Sequence, residues 1–346
     1  MTLSGLKYFE YNLPFVEPLE TASGSIVERS GLIVILTDDE GNNAYGDIAP
    51  LEMPGMTVIS DCINQIEQVK NVLGKKNDIE LLIRNENFAP EVKFGIEQAL
   101  HSLKLIKNGN NDSSPHSNTI AINALIGIGD EDEIFKKAAG LIEEGYKTIK
   151  IKINNVDLGN KIDMLNRLYA GFGNTFRVRL DANGSLSFDE AEEFLSFLNP
   201  FMIEYIEDPV NDIDNLIALQ EKSAVRIALD EPVTSKNMDD LLDIPSIKYY
   251  VIKPVKIGFY RTIDIINAAE SKNKSIVISS VFESAVGRSA LLYLASLIRG
   301  AHAHGLDTGK YLVKDLEDSV YTCDKPAVEF ELSNYPPVFN FEGMLQ

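Results

Sequence analysis

The chain has 346 residues, 45% of them hydrophobic and 24% charged, with a formal net charge of -20; it is long enough for one barrel of about 250 residues plus a smaller domain. So acidic a chain lacks the clustered Lys and Arg that a phosphate backbone demands, which excludes nucleic acid as a partner. No run approaches the ~18 apolar residues of a membrane span, Cys62 and Cys323 make no disulfide framework, and Met1 to Gly5 leads into strand-like sequence without the basic and apolar stretches of a signal peptide, so a reducing cytoplasm is the expected setting.

Leu6 to Leu13, Gly31 to Thr37 and Ala44 to Ala49 read as strands, the last two joined by the polar turn Asp38 to Asn43. Helical spacing of apolar residues follows from Thr57 to Leu73 and from Pro90 to Ile106, where Phe94, Ile96, Ala99, Leu100 and Leu103 share a face. The Asn-, Ser- and Gly-rich stretch Asn108 to Asn118 is a boundary. Residues 1–117 are therefore expected to form an α+β domain and residues 118–317 a (β/α) barrel, with 318–346 returning to the first domain through a strand at Ala327 to Leu332.

Beyond that boundary, strand and helix alternate. Ile120 to Ile126 is a strand, and Asp130 to Glu144 a helix ended by Gly145. Thr148 to Ile153 and Arg177 to Asp181 are strands, and Ser187 with Glu190 forms a capping box for a helix that stops before Pro200. Met202 to Glu207, Arg226 to Asp230, Tyr249 to Lys253 and Ser275 to Val281 continue the series, and His302 to Asp307 supplies a poorer eighth strand. Parallel strands with helical crossovers make a barrel the leading fold, ahead of an open doubly wound sheet.

The strand ends carry Lys150 and Lys152, Asp181, Glu207, Asp230 and Lys253, with consecutive charged positions from 152 onward 23 to 29 residues apart, the length of one strand-helix unit. Alternation places Lys150 and Lys152 opposite Ile149, Ile151 and Ile153, and Arg179 and Asp181 opposite Val178 and Leu180. The apolar set must meet the helices, so the charged set faces the interior, where an ion is costly unless paired or metal-bound. Glu204 and Glu207 have opposite parity; one of them can face inward, and Glu207 is nearer the carboxyl end, where barrel active sites lie.

Each run alone has an ordinary reading: Lys-x-Lys a solvated face, Asp-Ala-Asn-Gly a turn, Glu-Asp-Pro a strand exit. Together they would be five burial penalties, whereas one divalent metal flanked by two amines accounts for all of them. The four histidines, His101, His116, His302 and His304, are assigned no chemistry.

The order Lys-x-Lys, Asp, Glu, Asp, Lys resembles the enolase superfamily, a modified TIM barrel with an α+β capping domain. Arg29 to Val34, Gly46 to Leu51, Ile122 to Ile126, Val277 to Ser284 and His304 to Gly309 are similar to the o-succinylbenzoate synthase family within it. Asp47 stands where that family more often has Glu, a change expected to matter little. Val255-Lys256-Ile257-Gly258 departs from the Gly-rich loop of many superfamily members and bears on substrate class.

The resemblance implies a metal-dependent dehydratase of menaquinone biosynthesis acting on a small anionic substrate, with Asp181, Glu207 and Asp230 holding Mg2+ or Mn2+. Lys152 is the implied base and conjugate acid. It needs a pKa lowered toward ~7 to 8, with Lys150 beside it to lower it, and Lys253 stays protonated across the ring. Asn183, Asp208 and Glu231 are implied positioning groups, Arg179 and Ser280 are expected to hold substrate or lysine, and Thr21 to Ser25 and Met53 to Met56 are expected to close over the mouth. The alternatives are racemisation of an N-succinyl amino acid and epimerisation of a dipeptide, the latter calling for an acidic pair in the eighth loop, where Asp307 stands alone; a non-catalytic metal- or anion-binding barrel leaves the two lysines unexplained.

Overall fold

The computed structural model describes residues 2–21, 24–53, 56–73, 78–83, 88–108, 115–153, 157–316, 323–339 and 341. An antiparallel sheet opens the chain in the order β1 (Leu3–Thr21), β2 (Gly24–Asp38), β3 (Asn43–Ile48). Its helices are α1 (Ile59–Lys70), α2 (Asp78–Ile83), for which the sequence reading had no counterpart, and α3 (Pro90–Asn108). The uninterrupted apolar run Leu32 to Leu36 follows from a sheet covered on both faces. Leu32, Val34 and Leu36 pack toward these helices, while Ile33 and Ile35 meet Ala285, Val286 and Leu312 of the barrel.

The barrel begins with β4 (Thr119–Ala121) and β5 (Ala124–Ile126), two short strands broken at Ile122 and Asn123 in place of one. Then follow α4 (Glu131–Glu143), β6 (Thr148–Lys152), α5 (Leu158–Phe172), β7 (Arg177–Asp181), α6 (Phe188–Phe197), β8 (Ile203–Glu207) and α7 (Ile213–Lys222). The last units are β9 (Ile227–Leu229), α8 (Met238–Leu242), β10 (Tyr249–Ile252), α9 (Phe259–Ser271), β11 (Ser275–Ile278) and α10 (Ala285–Ser296). Local rules explain several boundaries. Asp130 accepts from the amides of Asp132 and Glu133, Gly145 follows α4 at φ 102°, and Ser187 with Glu190 closes the expected capping box.

Strands β5 to β11 form one seven-stranded parallel sheet in sequence order. The eighth strand is reduced to two parallel bridges, Ile122 with His304 and Ser279 with Gly305, which join the sheet's two sides. Ile149, Ile151, Leu180, Ile206, Leu229 and Ile252 face the helices in the main core, and Tyr205, Ala228, Val251 and Val277 form a separate inner cluster. Among the described residues no helix is long and apolar enough to cross a membrane.

The carboxyl-terminal segment divides. β12 (Ala327–Glu329) pairs antiparallel with β4 on the barrel side, in contrast to the expected return of Ala327 to Leu332 to the first domain. Phe339 and Phe341 are the residues that pack on β1 to β3, against Tyr45 and Phe9.

Candidate active site

Lys150 and Lys152 leave β6 on the face opposite Ile149 and Ile151, as alternation requires. Register carries the pattern across the sheet: Lys152 lies opposite Asp181, and Asp181 opposite Glu207. The Lys150 ammonium bridges the next two strands, 2.8 Å from Asp181 Oδ2 and in direct contact with Glu207 Oε2. On the far side Lys253 donates to Asp230 Oδ2 at 2.7 Å and to Glu231 at 3.0 Å. Among the described residues Lys152, half-buried between these pairs, makes no hydrogen bond or ion pair. It lies close enough to Asp181 to act on it electrostatically, as does Lys253.

Burial works against the Lys150 charge, but Glu207, Asp181 and Asp230 outweigh it and hold the amine well above the ordinary lysine range. Lys253 is likewise raised, its desolvation overcome by Asp230 and Glu231. Burial also pushes the carboxylates up. In Asp181 Lys150 reverses that push and holds the group below its usual range. In Glu207 burial, with Asp181 and Asp230, wins over Lys150, and the group is raised. One ammonium thus fails to neutralise this corner of the barrel.

That shortfall bears on a metal. Among the described residues no three acidic, histidine or cysteine side chains stand close enough together to hold an ion as placed, the carboxylates closing on ammonium groups instead. The donor chemistry nonetheless fits a hard dication: Asp181, Glu207 and Asp230 offer buried oxygens from adjoining strand ends, with more negative charge than Lys150 offsets. Both β7 and β8 exit through left-handed residues, Asn183 at φ 45° and Asp208 at φ 37°, the sparsely populated geometry that clusters at functional sites.

Residues 133–329, more than half of the chain, match the family model described as enolase C-terminal domain-like. The chain belongs to the enolase superfamily. It is 27% identical over 308 residues to an o-succinylbenzoate synthase of Thermosynechococcus vestitus, covering 87% of this chain and 91% of that one. It is also 27% identical over 373 residues to the chloroplastic protein PHYLLO of Arabidopsis thaliana, covering 91% of this chain but spanning only 21% of the length of that relative. Among solved structures, the dipeptide epimerase of Enterococcus faecalis, complexed with Mg and the dipeptide L-Leu-L-Tyr, superposes with a TM-score of 0.84 at 21% identity, covering 96% of this chain and 98% of the other.

Around this cluster the remaining expected residues fall into distinct environments. Asp208 is buried and accepts from the amides of Asp230 and Glu231, the latter at 2.7 Å, so it shapes the turn that presents Asp230; burial pushes its own carboxyl up to about 7. Asn183 is exposed, and its amide donates to Asp181 Oδ1 at 3.3 Å. Ser280 contacts Glu283 and shares a 2.7 Å hydrogen bond with Thr308.

Arg179, expected to hold substrate or lysine, instead has a fully buried guanidinium. It is bonded to both oxygens of Glu204, at 2.8 and 3.1 Å, to Asn123 Oδ1 and to the Ala303 carbonyl, and it lies over the Tyr205 ring. The Glu204 pairing corrects the parity argument. The β7–β8 register steps from Val178 with Ile203 to Arg179 with Tyr205, leaving Glu204 as an extra residue, and this bulge lets both Glu204 and Glu207 face inward.

Asp47 and Arg29 are contacts whose weight the sequence concealed. Asp47, fully buried, accepts from the Ser284 amide at 2.9 Å, from Ser284 Oγ at 2.7 Å and from the Tyr11 hydroxyl at 2.8 Å, tying β3 to the start of α10. Arg29 reaches the Val281 carbonyl and those of Ala49 and Pro50. Between these anchors Phe282 sits at φ 61°, packed edge-on against Phe15. The expected mouth-closing segments lie partly outside the described residues, which omit 22–23 and 54–55.

Proposed function

We propose that the chain is an o-succinylbenzoate synthase, dehydrating 2-succinyl-6-hydroxy-2,4-cyclohexadiene-1-carboxylate to o-succinylbenzoate in menaquinone biosynthesis, in a cytoplasmic setting. The observation that carries this reading is the asymmetry of the three lysines at the mouth. Lys150 and Lys253 are engaged by carboxylates and held charged, whereas Lys152, among the described residues, makes no hydrogen bond or ion pair and is left free to face a substrate. The full-length likeness to curated synthases at 27% identity supports the same assignment.

Asp181, Glu207 and Asp230 would hold Mg2+, which when bound supplies Lewis-acid stabilisation of charge developing on the substrate carboxylate. Lys152 takes the ring proton alpha to that carboxylate. The released electron pair forms the new ring double bond to the adjacent carbon as the C–O bond there, on the same face, breaks, and the Lys152 ammonium gives its proton to the departing hydroxide, which leaves as water. Nothing is oxidised or reduced, and one group on one face serves both transfers. Lys253, charged and across the barrel, holds the flat ring by a cation-π contact. Asp208 keeps Asp230 and Glu231 in place.

Racemisation of an N-succinyl amino acid is the second reading, favoured by two amines on opposite flanks. Dipeptide epimerisation fits less well, because Asp307, the acid of the eighth loop, is already paired with Lys310. The deciding experiment gives the purified protein Mg2+ and the cyclohexadiene substrate, follows ultraviolet absorbance, and runs an N-succinyl amino acid in parallel by polarimetry. Activity confined to the second substrate reverses the assignment. Lys152→Ala should abolish dehydration with the circular dichroism spectrum unchanged, and normal turnover in that variant removes Lys152 as the base.

A further inference from the structure

Beside Lys253 the barrel interior opens into a cavity of about 400 Å³ that runs outward between the strand-end turns and Pro90, the first residue of α3. Its wall is unusual for so acidic a chain: Lys236, Lys253 and Lys256 face it, against the carboxylates of Asp230 and Glu231. The local backbone explains why two of these amines stand together. Pro254–Lys256 is a single 3-10 turn, closed by the Lys256 amide donating to the Lys253 carbonyl at 2.9 Å. Lys253 is the extended residue that precedes this turn and Lys256 its last residue, so one tight turn brings both lysines to the same wall.

Lys253 is satisfied by Asp230 and Glu231. Among the described residues Lys256 and Lys236 make no hydrogen bond or ion pair. Lys256 is half-buried, and Glu91 and Glu231 feel its charge without bonding to it. A partly desolvated ammonium left unpaired beside another is stabilised by an anion that reaches both. Thr234, also on the wall, adds a hydroxyl donor.

We propose that this cavity is the subsite for the second, distal carboxylate of a dianionic substrate, with Lys256 as its counter-ion. The assignment rests on the functional reading above, which gives the substrate a ring carboxylate near Asp181, Glu207 and Asp230 and a second carboxylate on a flexible tail. It also accounts for the departure Val255-Lys256-Ile257-Gly258 from a glycine-rich loop, since a lysine here selects for an anionic tail.

The test compares the wild-type chain, Lys256→Met and Lys256→Arg, each with saturating Mg2+, in steady-state dehydration and in competitive inhibition by o-succinylbenzoate and by benzoate, which lacks the tail. Loss of one charge-assisted contact should raise KM and the o-succinylbenzoate inhibition constant about tenfold or more in Lys256→Met. The loss should fall on KM in preference to kcat, benzoate inhibition should be unmoved, and Lys256→Arg should recover most of the binding. Equal weakening of both inhibitors, or an unchanged KM in Lys256→Met, overturns the subsite while leaving the dehydratase assignment standing. A wild-type chain that fails to turn over the cyclohexadiene overturns that assignment and this inference with it.

Discussion

Replacing Lys150 by Met tests whether its ammonium stands in for a cation. Met preserves most of the stem's volume and removes the charge that lies 2.8 Å from Asp181 Oδ2 and against Glu207. Both carboxylates are nearly inaccessible, with side-chain exposures of 4% and 3%, so solvent cannot replace what is lost. Breaking a buried pair by deleting one partner costs about 3–5 kcal/mol, because it strands the other charge. In chelator the variant should therefore unfold at markedly lower urea concentration than the wild type, and the deficit should deepen as pH rises and the stranded carboxylates ionise. Mg2+ at a hundred times its dissociation constant stabilises a folded protein by about 2.7 kcal/mol. With the ammonium gone, the carboxylates are open to the ion without displacement of a competitor. Mg2+ should close most of the gap in Lys150→Met and raise the wild-type midpoint less. Urea midpoints for both proteins, with chelator and with Mg2+, provide the measurement. A deficit of equal size in the two conditions, or none in chelator, refutes the reasoning.

Two further perturbations probe the layers around the site. Glu204→Gln should cost about 3–5 kcal/mol at neutral pH by stranding the buried Arg179. Although burial raises the Glu204 carboxyl, Arg179 and His302 outweigh it and hold the group at about 2, so its stabilisation is complete above the unfolded value of ~4.3 and disappears as pH falls toward 2; denaturation midpoints of the two proteins should converge over that window. Asp47→Glu adds a methylene where Asp47 is fully buried and a β-carbon on Gly287 would already lie 2.6 Å from Asp47 Oδ2. It should lower stability by about 1–3 kcal/mol, and a neutral result in thermal unfolding would return Asp47 to the minor role first expected of it.

What could be read from the sequence is what period-two alternation and unit length encode. The strand series from Thr148 to Ile278, the inward face shared by Lys150 and Lys152, and the alignment of Asp181 with Glu207 all follow from local pattern. The bulge at Glu204 does not: one extra residue reverses parity, and nothing in Ile203-Glu204-Tyr205 announces it. The eighth strand was weak in sequence because His304 and Gly305 contribute isolated bridges and no ladder. Arg179 was misread because its partners Glu204, Asn123 and Ala303 come from three other segments. The importance of Asp47 was hidden in the same way, its partner Ser284 lying 237 residues along the chain.

The Asp47–Ser284 and Arg29–Val281 contacts also constrain how the molecule can be assembled. During synthesis the first sheet emerges with a buried acid and a buried guanidinium whose counterparts are still more than two hundred residues from being made, and loop closure over such a span comes late. A fragment ending before residue 281 would expose both groups and the apolar face of Ile33 and Ile35, a sticky half-product. The barrel in isolation would in turn lose the clamps on a strained Phe282, so severing the chain between its two parts should leave neither a well-ordered barrel nor a soluble first domain.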